Sequence, residues 1–220
     1  VEAAQNGVGR EPGWHDVWRN HLGVLGAWFV AGGGPAAARR AALVLWCGLF
    51  AWELVIIGQV ARTHWAIQGQ LPVIAELEHP GEVARWSGDV ALTDTVAAHG
   101  RACLAVRLGT DTYSGTGTMR LPHDWRGYDR LLFEVHNPDT TALKLTLRIN
   151  DRVHDQRSED RFNTRIIARP GWTHVEVPLA SVRTAPAGRE MDMSDVLQVF
   201  IFATRLPEPR TIHLDHVRLE

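Results

Sequence analysis

Residues 143–149 read Leu-Lys-Leu-Thr-Leu-Arg-Ile, and their strict alternation decides the fold of the larger part of the chain. Leu143, Leu145, Leu147 and Ile149 share one phase while Lys144, Thr146 and Arg148 share the other, the period of a half-buried strand. Upstream, Ala102, Leu104, Val106 and Leu108 alternate with Cys103, Ala105 and Arg107, and Leu131, Phe133 and Val135 with Leu132, Glu134 and His136. Downstream, Val175, Val177 and Leu179 alternate with His174, Glu176 and Pro178, and Val199, Ile201 and Ala203 with Phe200 and Phe202. Turn clusters such as Asn137-Pro138-Asp139 and Arg169-Pro170-Gly171 separate these runs. Strands at such intervals, with no helical period of similar strength between them, predict an all-β antiparallel sandwich over 77–220.

The final run, 212–219, changes phase. Ile212 and Leu214 share one parity and Val217 and Leu219 the other, so the register slips at Asp215-His216. A slip of one residue is what a β-bulge produces, and a bulge re-aims the side chains beside it.

The chain before residue 67 has a different character. Residues 41–61 are apolar apart from Glu53 and Gln59, and as a helix they rise roughly 30 Å, the thickness of a hydrocarbon core. An earlier Gly- and Ala-rich stretch predicts another helix over about 16–36, ended by Gly32-Gly33-Gly34-Pro35. Six of the nine tryptophans precede residue 70, as interfacial aromatics do. The domain expectation is therefore a membrane portion over 1–66, a linker over 67–76 and the sandwich over 77–220. Arg39-Arg40, placed in the cytoplasm by the positive-inside rule, sends the sandwich to the extracytoplasmic side. Asp16, Asn20 and Gly23 fall on one helix face, and with Glu53 they are polar groups that suit a helix bundle or its functional interior equally. The start at Val1, inside a motif, predicts upstream helices of the same protein.

Two resemblances follow from these residues. Glu2-x-x-Gln5, Arg10-x-Pro12 and Asp16-Val17-x-x-Asn20-x-x-Gly23 resemble the C-terminal signature of the VanZ-like membrane proteins, associated with glycopeptide (teicoplanin) resistance and the cell envelope. This resemblance covers about residues 1–33 and marks Glu2, Gln5, Arg10, Asp16 and Asn20 as the matching positions. Glu76-Leu77-Glu78-His79-Pro80, Trp86-Ser87, His99-Gly100-Arg101, Asp124-Trp125-Arg126-Gly127-Tyr128-Asp129, Gly171-Trp172 and Leu214-Asp215-His216-Val217 resemble, in order, a galactose-binding-like jelly roll. That family includes many carbohydrate-binding modules. It implies a sugar ligand, and a structural calcium at Glu78 and Asp215, the positions where relatives often hold one.

Sugars are usually held by an aromatic face beside planar hydrogen-bonding side chains. Trp86, Trp125, Tyr128 and Trp172 stand at motif positions that favour burial, whereas Tyr113 lies in a polar loop and is expected to be exposed. The long charged connection 150–163 supplies Asp151, His154, Asp155 and Arg161 as ligand-binding candidates, with Arg148 at the end of the preceding strand. The alternative is a solvated loop whose salt bridges contribute little. A second candidate is a polar sheet face of Glu134, His136, Thr146, Arg148, His174 and Glu176. His154 with Asp151 and Asp155 also has the residue types of a metal site.

The net charge of −2 gives no reason for nucleic-acid binding, and Cys47 and Cys103, one in each portion, are not expected to pair. No phosphate-binding loop, zinc-ligand spacing or nucleophile elbow is present. The function expected is that of a membrane-anchored protein of the bacterial cell envelope, held in the cytoplasmic membrane, that binds an envelope polysaccharide. Two alternatives stay open: a structural or protein-interaction sandwich that positions a membrane bundle, and a polysaccharide-processing membrane protein.

Overall fold

The computed structural model describes residues 35–220. Helix α1 runs Ala36–Gln68 and is longer at both ends than the expected 41–61. Pro35 precedes its first turn, and the Ala-rich start tolerates Arg39 and Arg40 because alanine and arginine are both strong helix formers. At the other end, no residue between Ala61 and Gln68 breaks the helix until Gly69, whose N–H bonds to the Trp65 carbonyl at 3.0 Å. The stretch Ala36–Gln59, with mean hydropathy 2.1, is long and apolar enough to cross a membrane. Glu53 lies within it, while Glu2, Gln5, Arg10, Asp16, Asn20 and the helix expected at about 16–36 lie almost wholly outside the described residues.

A boundary between compact units falls after Thr63, and the sandwich belongs to His64–Glu220. Its first strand, β1, is Val73–Ala75, within the segment expected as a linker. Strands β2 (Asp89–Thr93), β3 (Cys103–Leu108), β5 (Arg130–Asn137), β8 (Gly171–Pro178) and β10 (Arg210–Leu219) follow in one sheet. That sheet is ordered β2-β3-β10-β5-β8, with β1 also paired to β10. The second sheet is β4-β9-β6-β7, made of β4 (Ser114–Thr118), β9 (Val196–Ala203), β6 (Leu143–Asp151) and β7 (Phe162–Ala168). All strand pairs are antiparallel. Short helices α2 (Pro80–Val83) and α3 (Leu179–Arg183) complete the unit.

The phases read from the sequence are the phases of the core. Leu104, Val106, Leu131, Phe133, Val135, Leu145, Leu147, Ile149, Val199 and Ile201 are all buried between the two sheets. The slip in the last strand is a bulge: the pairing of β10 with β5 shifts between Asp215 and Arg218, and His216 adopts φ 45°. Ile212 and Leu214 before the slip and Val217 and Leu219 after it thus all reach the core. The bulge also divides one edge of β10 between two partners, β3 along Arg210–Leu214 and β1 at Val217 and Arg218.

Trp86 and Trp125 are buried as expected, and Tyr128 is packed partly against the core. Trp172 departs from that expectation. It is half-buried outside the core cluster, with its ring 4.9 Å from that of His136. The six-residue polar face is also corrected. Glu134, His136, His174 and Glu176 lie on β5 and β8, whereas Thr146 and Arg148 lie on β6 in the other sheet. The alternation of each strand reads correctly, but sequence periodicity carries no information about which strands share a sheet.

Candidate functional site

The outward phase of the four-stranded sheet is where unused chemistry collects. Val199, Ile201 and Ala203 of β9 enter the core, so Phe200 and Phe202 point the other way. Facing them on β4 are Gly117 and Gly115 respectively. A Cβ at Gly117 would lie 2.3 Å from Phe200 Cδ2, and one at Gly115 would lie 2.6 Å from Phe202 Cβ. The two phenylalanines therefore lie over the bare backbone of β4, in space that any side chain there would take. Tyr113, which is exposed, meets Phe202 edge-on with ring centroids 5.5 Å apart.

On the other flank of β9, Phe202 pairs with Thr146 and Phe200 with Arg148. β7 then places Arg165 opposite Thr146 and Asn163 opposite Arg148. Arg161, immediately before β7, has extended backbone and follows the same outward phase. A groove of about 610 Å³ adjoins this face beyond β4, lined by Asp89, Arg107, Asp111, Tyr113, Gly115 and Phe200 among others. Aromatic rings beside guanidinium, amide and carboxylate groups are the chemistry that receives a polyhydroxylated ring.

The structure brings Tyr113, Arg148 and Arg161 of the expected ligand-binding set to this one face or its rim. Asp151, His154 and Asp155 go elsewhere. Asp151 is fully buried, where its carboxylate accepts from Arg189 Nη1 at 2.6 Å, Arg189 Nη2 at 2.9 Å and the Asp192 N–H at 2.8 Å. Arg189 Nε also reaches Asp160 Oδ1 at 2.5 Å, and Asp160 accepts the Asp155 N–H at 2.9 Å. Hydrogen bonding from Arg189 holds the Asp160 carboxyl well below the usual carboxylate range. His154 is buried, with Nδ1 2.8 Å from the Asp160 carbonyl. His154, Asp155 and Asp160 are near enough together to suit a metal ion, but the Arg189 guanidinium already supplies the positive charge to two of the acids around them. This network ties the 152–161 loop to the segment after α3. The exposed parts of the loop carry the Asp155–Arg157 pair at 2.5 Å.

Glu78 and Asp215 both converge on the turn before β3. Glu78 accepts the Arg101 N–H at 2.9 and 3.1 Å, and Gly100, with φ 66°, is needed because a Cβ would sit 1.9 Å from Glu78 Oε1. Asp215 Oδ2 accepts the N–H groups of Ala98 at 2.7 Å and His99 at 2.9 Å. Its Oδ1 is buried with no partner. Burial first, and the Glu78 charge in addition, push the Asp215 carboxyl above its ordinary range. Burial first, and the charges of Asp215 and Glu78 in addition, push the Cys103 thiol up to about 12.

The opposite sheet carries a row of its own, Trp172, His136 and His213, with His136 Nδ1 and His213 Nδ1 3.4 Å apart. Burial pushes both imidazoles below the usual histidine range. Phe200 and Phe202 were not legible as site residues, yet one signal exists. The run Val199-Phe200-Ile201-Phe202-Ala203 is apolar in both phases, and an antiparallel strand with one wet face has no need of that.

Three comparisons bear on this arrangement. The family model described as "Carbohydrate binding domain (family 11)" matches residues 79–211. A family 11 carbohydrate-binding module from Clostridium thermocellum, solved in complex with a β-1,3-1,4-mixed-linked tetrasaccharide, superposes with a TM-score of 0.50 at 17% identity, covering 67% of this chain and 94% of that one. An exo-β-agarase superposes with a TM-score of 0.54 at 11% identity over 67% of this chain, but only 24% of the agarase chain. At such identities the superpositions show a shared fold. Curated protein sequences contain no significant match.

Proposed function

The chain belongs to the family 11 carbohydrate-binding domains, and from that premise we propose that it binds an envelope polysaccharide on the outer face of β4-β9-β6-β7 while α1 anchors it in the cytoplasmic membrane. The observation that carries this reading is the pair of accessible rings Phe200 and Tyr113, packed on the buried Phe202 and set beside Arg148 and Asn163. A sugar ring stacks on Phe200 and Tyr113, and the guanidinium and amide groups take its hydroxyls. The tetrasaccharide held by the Clostridium thermocellum module supports a β-1,3-1,4-mixed-linked polysaccharide as one ligand to try. The VanZ-like stretch over 1–33 and the Arg39-Arg40 pair support an envelope setting with the sandwich outside the cytoplasm.

Affinity electrophoresis of the full chain in non-ionic detergent, through gels containing a panel of plant and bacterial polysaccharides, tests the reading. Retardation by at least one polymer is expected. Phe200→Ala and Tyr113→Ala should each weaken it about tenfold, as loss of an aromatic anchor does. Free migration in every gel would sink the proposal.

The calcium implied by the jelly-roll resemblance is proposed separately, with Glu78 and Asp215 as its carboxylate ligands. The fit rests on the buried, unpartnered Asp215 Oδ1 and on the nearby Glu78 charge, which disfavours that of Asp215. Hard carboxylate oxygens are what calcium takes, and bound calcium would hold the bulge of β10 to the 94–101 turn. Added calcium should raise the melting temperature and a chelator should lower it. An unchanged melting curve under both treatments would remove the site.

A further inference from the structure

The outer face of the four-stranded sheet carries a charge that its own residues leave unbalanced. β6 contributes Lys144 and Arg148, β7 contributes Arg165, and Arg161 precedes β7 in the same phase. The positions that alternate with the core in β4, β9, β6 and β7 otherwise hold Gly, Gln, Phe, Thr, Asn and Ile, with no Asp or Glu among them. The acid at the end of β6, Asp151, is buried and already held by Arg189.

Arg148 and Arg161 form the centre of this charge. Each has its Nε buried with no partner, and among the described residues neither side chain makes an ion pair or a hydrogen bond. They are close enough to repel: burial first, then the Arg161 charge, lower the Arg148 pKa. A guanidinium stays charged at any working pH, so the repulsion is not relieved by losing a proton. Two half-buried cations with orphaned donors are costly to hold together. An oxyanion that accepts from both offsets that cost, through the bidentate geometry for which arginine is suited. Phe200, paired with Arg148 across the strands, sets a sugar ring next to that position.

We propose that the polysaccharide taken by this face is anionic, with a uronate carboxylate or a sulfate ester seated on Arg148 and Arg161. This inference rests on the binding reading above and adds the class of polymer. The neutral end of the ligand stacks on Phe200 and Tyr113, and the acid group receives N–H donors from the two guanidiniums.

The full chain in non-ionic detergent is titrated with polygalacturonate, a sulfated galactan, carboxyl-reduced polygalacturonate and a neutral β-1,3-1,4-glucan. Binding to one of the two anionic polymers is expected to exceed the neutral ones by about tenfold or more, and to weaken about tenfold between about 50 mM and about 500 mM NaCl as screening shortens the reach of the charges. Preference between the first two polymers assigns carboxylate or sulfate. Arg148→Gln and Arg161→Gln should each remove most of the preference while leaving residual binding to the neutral polymers. The salt series on the unaltered chain decides the matter even where a variant does not fold. Equal, salt-insensitive binding of neutral and charged polymers overturns the anionic class and leaves polysaccharide binding standing. Binding to none of the four overturns both.

Discussion

Arg189 ties the segment after α3 both to the end of β6 and to the 152–161 loop. It spans Asp151 and Asp160, and Asp151 has no exposure to water at all. Removing it leaves a buried carboxylate with one backbone N–H, from Asp192, as its remaining partner. Arg189→Ala should therefore destabilise the domain by about 3–5 kcal/mol, which at this size lowers the melting temperature by roughly 10 °C. A thermal melt followed by circular dichroism reads this directly, and a loss of less than about 1 kcal/mol would show that the network is incidental. The histidines give a pH signature of opposite origin. His136, His213 and His216 are all pushed down by burial, so the unfolded chain takes up protons first as pH falls below about 6.5. Their contribution is present above that pH and is lost as pH falls towards their folded values. The melting temperature should drop between about pH 6.5 and 5, and the double variant His136→Gln, His213→Gln should flatten the slope. Gly117→Ala tests the aromatic surface at the same scale. The new methyl meets the Phe200 ring at 2.3 Å and the Val199 carbonyl oxygen at 2.6 Å, so β4 and β9 must shift apart there, and polysaccharide binding should fall together with the melting temperature.

Among the elements, β1 shows where the soluble domain begins. The strand is three residues long, yet Ile74 is fully buried, and so is Leu77 just after it. Arg85 adds a hydrogen bond to the Ile74 carbonyl at 2.9 Å. Upstream, Gln68 donates to the Leu121 carbonyl at 3.4 Å and accepts the His123 N–H at 3.1 Å. A fragment starting at His64 should melt cooperatively without detergent. One starting at Leu77 loses a buried isoleucine and a strand of the sheet, which costs roughly 2–5 kcal/mol for the side chain alone. Val73-Ile74-Ala75 escaped notice because three residues cannot display a period, and because their pairing partner lies far along the chain. The same blindness applies to β4. Ser114-Gly115-Thr116-Gly117-Thr118 reads as a loop, since glycine is a poor strand former and only the neighbouring phenylalanines explain its presence. By contrast, the bulge at Asp215-His216 was legible, because a change of parity between two apolar pairs is a statement about a single strand.

For the whole molecule, the division between legible and hidden follows the reach of the interactions. The two-layer sandwich and its inward phases are periodic and local, so they could be read from the residues. Which sheet holds which strand is decided by pairings over a hundred residues long, such as β3 with β10, and that scattered the expected polar face over two sheets. The site was legible in part for the same reason. Arg148, Arg161 and Tyr113 are legible as polar or aromatic side chains in or beside loops, but Asp151 and His154 share that sequence character and are buried. Nothing in the 152–161 loop indicates that an arginine almost thirty residues later will enclose it.

The two thiols make the chain its own clock. Cys47 lies on α1, within its apolar stretch, and Cys103 is buried in β3 with Sγ donating to the Val96 carbonyl at 2.9 Å. With its pKa near 12, Cys103 presents a thiolate fraction on the order of 10⁻⁵ at neutral pH. A water-soluble alkylating reagent thus modifies it only when the sandwich opens. In the His64–Glu220 fragment Cys103 is the remaining cysteine, so the rate of its modification counts openings of the domain under native conditions. Reconstituted into vesicles, the full chain adds a second hand to the clock. If α1 spans the bilayer, Cys47 stays unlabelled until detergent is added, whether or not the sandwich has opened.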